Sequence, residues 1–240
     1  MNAPYQGTGE KAMARHYTCG GRRAGAFRGF VVFLLWVVIP LGGGCSVLGP
    51  VPAPNPKQYL LTLPEAHAPA AVGGTLVIAV DPPSALPGFQ DRGMAYVPRA
   101  QELDYYARNQ WVSAPARMLE PLLVQALAQH GGFRAVVTAS TGVPADLRLE
   151  TQILRLQQEF TVRPSRVRFT LRAWLLDGRT RQILATRVFE AVAPAPGNDP
   201  YSGVQAANRA VRQVLGRVVT FCGNEARSLH GDGSAGRSSK

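Results

Sequence analysis

Arg166-Val167-Arg168-Phe169-Thr170-Leu171-Arg172-Ala173-Trp174-Leu175-Leu176-Asp177-Gly178, continuing from Arg179 to Val188, is the stretch whose reading decides the fold. From Val167 to Leu175 every second residue is apolar, the period of a strand with one covered face and one open face. Asp177-Gly178 has the preference for positive φ that a two-residue hairpin turn needs. A turn there sets Leu176 opposite Arg179, Leu171 opposite Leu184, Phe169 opposite Thr186 and Val167 opposite Val188, so that one face comes out apolar. The other face gathers Arg166, Arg168, Arg172, Arg179, Arg181 and Arg187, with Trp174 opposite Arg181 in cation–π reach. Arg168 facing Arg187 costs stability unless an anion or a carboxylate lies between them. This face is therefore a candidate for binding an anionic partner.

Upstream, Asp146 to Phe160 alternates through Leu147, Leu149, Thr151 and Ile153 and then changes face at Leu154 and Leu156, which predicts a bulge near Ile153 to Leu154. Downstream, Val204, Ala207, Val211, Val214, Leu215, Val218 and Phe221 make Tyr201 to Cys222 an amphipathic helix in need of a surface. A second helix starts after Ser113, its expected cap, and carries Leu119, Leu122, Leu123, Ala126 and Leu127 on one face. Gly131-Gly132 ends it, and Pro121 predicts a kink or a start near Glu120. Gln58 to Leu63, Thr75 to Val80 and Phe133 to Thr138 read as strands, and Gly93 to Ala107 as two strands joined through Pro98 to Glu102. The expected fold is α+β: an antiparallel or mixed sheet of about six strands with two amphipathic helices packed on one face.

The chain of 240 residues begins with a different kind of segment. Arg22, Arg23 and Arg28 precede an apolar run from Phe30 to Leu41 and then Gly42-Gly43-Gly44-Cys45. This is the order of a secretory signal, and a run of about twelve residues is shorter than the ~20 that cross a bilayer as a helix. Residues 1–44 are read as a signal peptide and Cys45 as the acylated first residue of a lipoprotein. Gly42 stands where a lipobox usually has Leu, so a cleaved signal without lipid and an uncleaved anchor stay open beside it. Ser46 after the cysteine, in place of Asp, favours the outer membrane. Residues 45–57, rich in proline, form an extended tether, 58–223 the domain and 224–240 a disordered tail.

Of the 26 Lys and Arg and 15 Asp and Glu, five basic and one acidic residue precede Ser46, which leaves 21 against 14 and a net charge of +7 on the remainder. Such a balance favours anionic partners: phospholipid head groups or acidic proteins. Nucleic acid is set aside for an exported chain. Three cysteines, one of them in the leader and one at the acylation site, define no disulfide framework, and Cys222 reads as a buried structural thiol. The sequence holds no phosphate-cradling loop, dinucleotide turn, nucleophile elbow or paired histidines at metal-ligand spacing. Neither a catalytic role nor a cofactor is expected. Glu102 and Asp104 share a strand face, read as solvated.

Tyr105-Tyr106-Ala107-Arg108-Asn109-Gln110-Trp111-Val112, leading into a helix with Pro115 near its start, resembles the segment before the first helix in the ABC-type transport auxiliary lipoproteins, which include the PqiC-like lipoproteins. Tyr59-Leu60-Leu61-Thr62-Leu63 resembles that family's first mature strand, and the likeness extends from about Cys45 to Cys222. The resemblance implies a periplasm-facing, lipid-anchored accessory of an ABC-type lipid transport system, partnered by an MCE-domain protein and the transporter components. Arg108 and Trp111 join Arg166, Arg168 and Arg172 as candidate partner-binding residues, with Trp111 packing under the helix as the alternative. Self-association into a ring and solitary action both stay open. The rival function is a periplasmic lipid-binding carrier, which needs an apolar cavity of several hundred Å³ between sheet and helices.

Overall fold

The computed structural model describes residues 55–64 and 73–235. Its elements run β1 (Lys57–Tyr59), β2 (Val77–Val80), β3 (Ser84–Ala85), β4 (Gly93–Val97), β5 (Asp104–Trp111), α1 (Pro115–His130), β6 (Ala135–Thr138), a 3-10 turn (Ala139–Thr141), β7 (Leu147–Glu159), β8 (Arg166–Asp177), β9 (Ile183–Pro194) and α2 (Pro200–Ala235). The leader, Cys45 and the tether before Asn55 lie outside the described residues, as do His67 and the last five positions.

β7, β8 and β9 form a long antiparallel meander. The other edge of β7 is shared by three short strands in turn: β2 near its start, β3 at its middle and β4 near its end, all parallel to it. β6 extends the sheet beyond β2, while β5 and then β1 extend it beyond β4. The result is a mixed nine-stranded sheet with two helices, an α+β architecture. The one strand beyond those expected by position is two-residue β3, just past Asp81-Pro82-Pro83.

The expected bulge is present: register shifts between Ile153 and Arg155, so Leu154 is the extra residue and both Ile153 and Leu156 point into the core. α2 lies on β8 and β9, α1 on β2, β3 and β6, and the two helices touch. All seven apolar positions marked on α2, Val204 through Phe221, are buried, as is Cys222, whose thiol burial pushes up to about 12. The helix does not stop at Cys222 but continues to Ala235, into the stretch read as a tail. Asp199 caps its start by accepting from the Ser202 amide at 3.0 Å.

α1 departs from expectation at its start. The cap position is Ala114, with no side-chain cap bond, so Ser113 does not serve; Pro115 sets the first helical φ instead. Pro121 sits inside the helix on its exposed side, where water can meet the carbonyl that loses its amide partner. Gly131, at φ 71°, closes the helix in the left-handed conformation.

The hairpin register is the main correction. Leu171 faces Phe189, not Leu184; Phe169 faces Ala191 and Val167 faces Ala193. The loop runs from Asp177 to Gln182, closed by the Asp177 amide donating to the Gln182 carbonyl at 2.9 Å, and it is organised by the Asp177 carboxylate, which accepts from the Arg179 and Thr180 amides. The left-handed residue of this loop is Arg181, at φ 63°. Gly178 serves another need. A Cβ there would stand 1.9 Å from the Ala145 carbonyl oxygen, so glycine admits the chain entering β7. The five-residue displacement is odd and turns β9 over: Phe189, Ala191 and Ala193 enter the core while Val188 and Val192 face out.

Thr151 occupies a core position of β7 and is 3% exposed, and its hydroxyl has no hydrogen-bond partner among the described residues. Replacing it with Val removes a buried, unpaired polar atom and keeps the shape. Thr151→Val is expected to stabilise the domain by about 1 kcal/mol, read as a higher midpoint in urea with an unchanged slope.

Candidate partner-binding surface

The outer face of the meander carries the residues that miss the core. Arg166, Arg168, Thr170, Arg172 and Trp174 of β8 share it with Gln157 and Glu159 of β7 and with Val188, Glu190 and Val192 of β9. The charge clash expected at Arg168 is absent because the new register sets it opposite Val192. Arg168 Nε donates to Glu159 at 2.7 Å, a second nitrogen donates to Glu190, and Arg166 Nε donates to the other oxygen of Glu159 at 2.8 Å. Glu190 also accepts from the Thr170 hydroxyl at 3.1 Å. Burial would raise the Glu159 carboxyl, but hydrogen bonds from Arg168 and Arg166 outweigh it and hold the group below the usual carboxylate range.

The carboxylates that the arginine row needs therefore come from the sheet itself. Arg187 pairs with Ala173 on the helix side, its guanidinium 5.1 Å from the centre of the Phe221 ring. Arg179 and Arg181 belong to the hairpin loop, with Arg181 3.8 Å from Asp81. The cation–π partner of Trp174 is Arg172, at 5.6 Å, not Arg181. Arg172 has no carboxylate within ion-pair distance among the described residues. Val188, 51% exposed, lies directly opposite it. Arg172, Trp174, Val188 and Val192 thus make a cationic and apolar strip beside β9, which has no further strand partner among the described residues.

The Tyr105 to Trp111 segment forms β5. Its register with β4 shifts between the Gly93 and Ala95 pairings, and this irregularity lets both Tyr106 and Trp111 turn inward although they are five apart. Trp111 is 3% exposed and belongs to the core, the anchoring alternative rather than a contact surface. Tyr106 is half-buried, stacks on Tyr96 at 4.7 Å and donates to Gln158 Oε1 at 3.0 Å. Arg108 is exposed, with no partner among the described residues. It stands on β5, separated from the β8 and β9 strip by β4 and β7. Glu102 and Asp104 do not act as a pair: the first binds Arg99 and the second accepts from the Tyr96 hydroxyl. No sequence signal marked Val188 and Val192 as surface residues, because their facing depended on a loop length.

Between the sheet and α2, the cavity lined by Met94, Trp111, Leu156, Val167, Gly203 and Ala207 holds about 20 Å³, too little for an acyl chain, while a second of about 480 Å³ opens where Gly73 to Leu76 meet Gly131, Gly223 and Arg227. Among the described residues there is no cluster of three metal-ligating side chains, and no helix is long and apolar enough to cross a membrane.

A family model for the ABC-type transport auxiliary lipoprotein component matches residues 59–219. The chain belongs to this family. No curated protein matches it. Among solved structures it is similar to XCC0632 of Xanthomonas campestris, a DUF330 protein, at 22% identity and a TM-score of 0.65, covering 72% of this chain and 98% of that one. A second, uncharacterized protein matches at 15% identity and a TM-score of 0.56, over 70% of this chain and 99% of that one. At these identities the likeness is one of fold. Membership makes this auxiliary lipoprotein a component of ABC-type transport that works alongside the transporter, with an anchored place in the cell envelope.

Proposed function

We propose that this auxiliary lipoprotein is a non-catalytic adaptor that holds the periplasmic MCE-domain part of an ABC-type lipid transport system at the outer membrane. Cys45 carries the lipid, the proline-rich stretch to Lys57 gives reach, and the domain supplies a protein-docking face. The observation that supports this most is the open strip of Arg172 stacked on Trp174 beside Val188 and Val192, an aromatic and cationic centre of the kind that dominates protein interfaces. Arg166 and Arg168 serve by keeping that strip flat and charged in balance, and Arg108 is a second contact on the far side of the sheet. Trp111 contributes from beneath, by packing. The carrier alternative finds no support in the 20 Å³ cavity beside Trp111, and the space of about 480 Å³ beside Gly73 and Gly223 is its remaining candidate site.

The test is co-purification from envelopes of cells labelled with palmitate. The wild-type protein is expected to take up label, fractionate with the outer membrane and retain an MCE-domain protein; Cys45→Ala should lose the label and the fractionation. Arg172→Glu should keep its melting temperature yet lower MCE-protein recovery about tenfold, the equivalent of one lost contact of ~1.4 kcal/mol. Recovery equal to wild type in low salt would remove the strip from the interface.

A further inference from the structure

The last strand of the meander has a free side. β9 is 12 residues long and pairs with no strand but β8 among the described residues. The described chain starts at the opposite edge of the sheet, where Lys57–Tyr59 lies on β5, and Pro64 and Gly73 bond to Gln125 of α1 and to its cap Gly131. Which backbone groups of β9 face its free side follows from one bond: the Ala195 amide donates to the Ser165 carbonyl at 2.7 Å, next to the Arg166 and Pro194 pairing. Bonded and non-bonded pairs alternate along an antiparallel ladder. Arg187, Phe189, Ala191 and Ala193 therefore bond their amides and carbonyls to β8, while Thr186, Val188, Glu190 and Val192 turn theirs outward. Pro194, with no N–H to give, falls on an outward position, and its carbonyl takes Arg209 of α2. The edge is thus closed at that end and open from Thr186 to Val192.

A long open edge normally carries lysine, proline or a bulge that keeps other strands away. From Thr186 to Val192 β9 has none of these. It exposes Val188 and Val192 on the outer face, and Ile183 and Leu184 at its start. The charge around it is one-sided: the stretch from Arg166 to Pro194 holds six arginines against Asp177 and Glu190, and Glu190 is already taken by Arg168 and Thr170. Arg187, on β9 itself, is exposed beside the Phe221 ring and has no carboxylate within ion-pair distance among the described residues. An incoming antiparallel strand sets a residue directly across from Arg187 at a non-bonded pair, where side chains stand closest. A second copy of β9 cannot supply a carboxylate there. Antiparallel self-pairing through the outward groups brings odd positions against odd, and the one acidic residue of β9 is Glu190.

We infer that the free edge of β9 takes an extended segment of another protein as an additional antiparallel strand, with apolar residues opposite Val188 and Val192 and a carboxylate opposite Arg187. Main-chain bonds from Thr186 to Val192 supply affinity, and those three side chains supply specificity. The inference rests on the docking role of the Arg172 strip and names how the partner sits on it.

The test titrates the full chain with a fluorescein-labelled peptide built to that pattern, Ser-Thr-Val-Thr-Thr-Thr-Val-Glu-Thr-Ser. Saturable binding of one peptide per chain is expected, with the Thr186, Val188, Glu190 and Val192 amides exchanging hydrogen fast in the free protein and slowly in the complex. Val192→Pro should keep the melting temperature, because that amide lies outside the β8 ladder, yet weaken peptide binding about tenfold or more, with Val192→Ala closer to the wild type. Arg187→Glu should weaken it similarly and recover with a peptide carrying Lys in place of Glu. No saturable binding, or edge amides whose exchange the peptide leaves unchanged, overturns the inference even where Val192→Pro fails to fold. Edge amides already slow in the free chain, the mark of a second copy or of the chain's own N-terminal segment on the edge, overturn it as well. Wild-type peptide binding and MCE-protein recovery in Val192→Pro, with recovery lost in Arg172→Glu, would keep the docking face and discard strand addition. Slowed edge amides in the peptide complex with full recovery in Arg172→Glu would discard the docking role alone.

Discussion

Gly178→Ala is expected to lower the melting temperature by about 8 °C, from a loss of about 2–3 kcal/mol. The added Cβ would lie 1.9 Å from the Ala145 carbonyl oxygen and 2.7 Å from its carbon. Both are backbone atoms, so no side chain can swing aside. The Gly178 amide also donates to the Asp146 carbonyl at 2.8 Å, and the Asp146 side chain accepts from the Val77 amide at 2.8 Å. Relief of the overlap must therefore move the start of β7 against β2 or pull the hairpin loop off β7. A melting temperature within a degree of the wild type would mean that the two segments do not approach as described.

The second large effect is expected at Arg168. Arg168→Glu places a third carboxylate between Glu159, 7% exposed, and Glu190, and removes three donors at once. A cost of about 3 kcal/mol is expected at neutral pH, the low end for breaking a buried pair because the Arg168 side chain keeps 20% exposure. The effect should depend on pH in a definite direction. The folded-state pKa of Glu159 is depressed, so its stabilising contribution is complete above the unfolded value of about 4.3 and fades as pH falls through the folded value. In the variant that contribution is gone and the carboxylates repel until they protonate. The gap between wild type and variant should thus be widest near pH 7 and close below about pH 4. A gap that stays constant across that range would show that Arg168 acts through packing alone. Arg168 consequently makes a poor test of partner binding, since a weakened complex could follow from a weakened sheet; Arg172 leaves the ion pairs intact.

Much of the architecture is legible in the residues. The alternation from Val167 to Leu175 needs only the two-residue period of a strand, and the parity change at Leu154 announces its own bulge. The apolar spacing on α2 gives its buried face residue by residue. These are local signals, in which each residue's neighbours along the chain carry the information. Where the reading failed, the deciding contact was distant in sequence. Asp177-Gly178 has the composition of a tight turn, yet the glycine answers to Ala145, and the left-handed residue is Arg181. The α2 boundary moved because the tail composition describes a preference that a helix already begun can override.

The candidate surface shows the same division. Arg166, Arg168 and Arg172 were assigned to the outer face from their own strand and lie there. Whether their charge is free was a matter for Glu159 and Glu190, and those carboxylates arrive from two other strands. Trp111 reads from its neighbours either as a contact residue or as an anchor under the helix, and the irregularity in β5 decides for the core.

By itself the amino-acid order determined the class of fold, the faces of β7, β8 and α2, and membership of a transport-auxiliary lipoprotein family, because hydrophobic periodicity and short motifs are properties of neighbouring residues. The tertiary structure alone decided which side of β9 meets solvent, which arginines keep an unpaired charge and which backbone groups of β9 stay open. Those depend on loop geometry and on side chains brought together across tens of residues, where an odd shift in pairing reverses a whole strand.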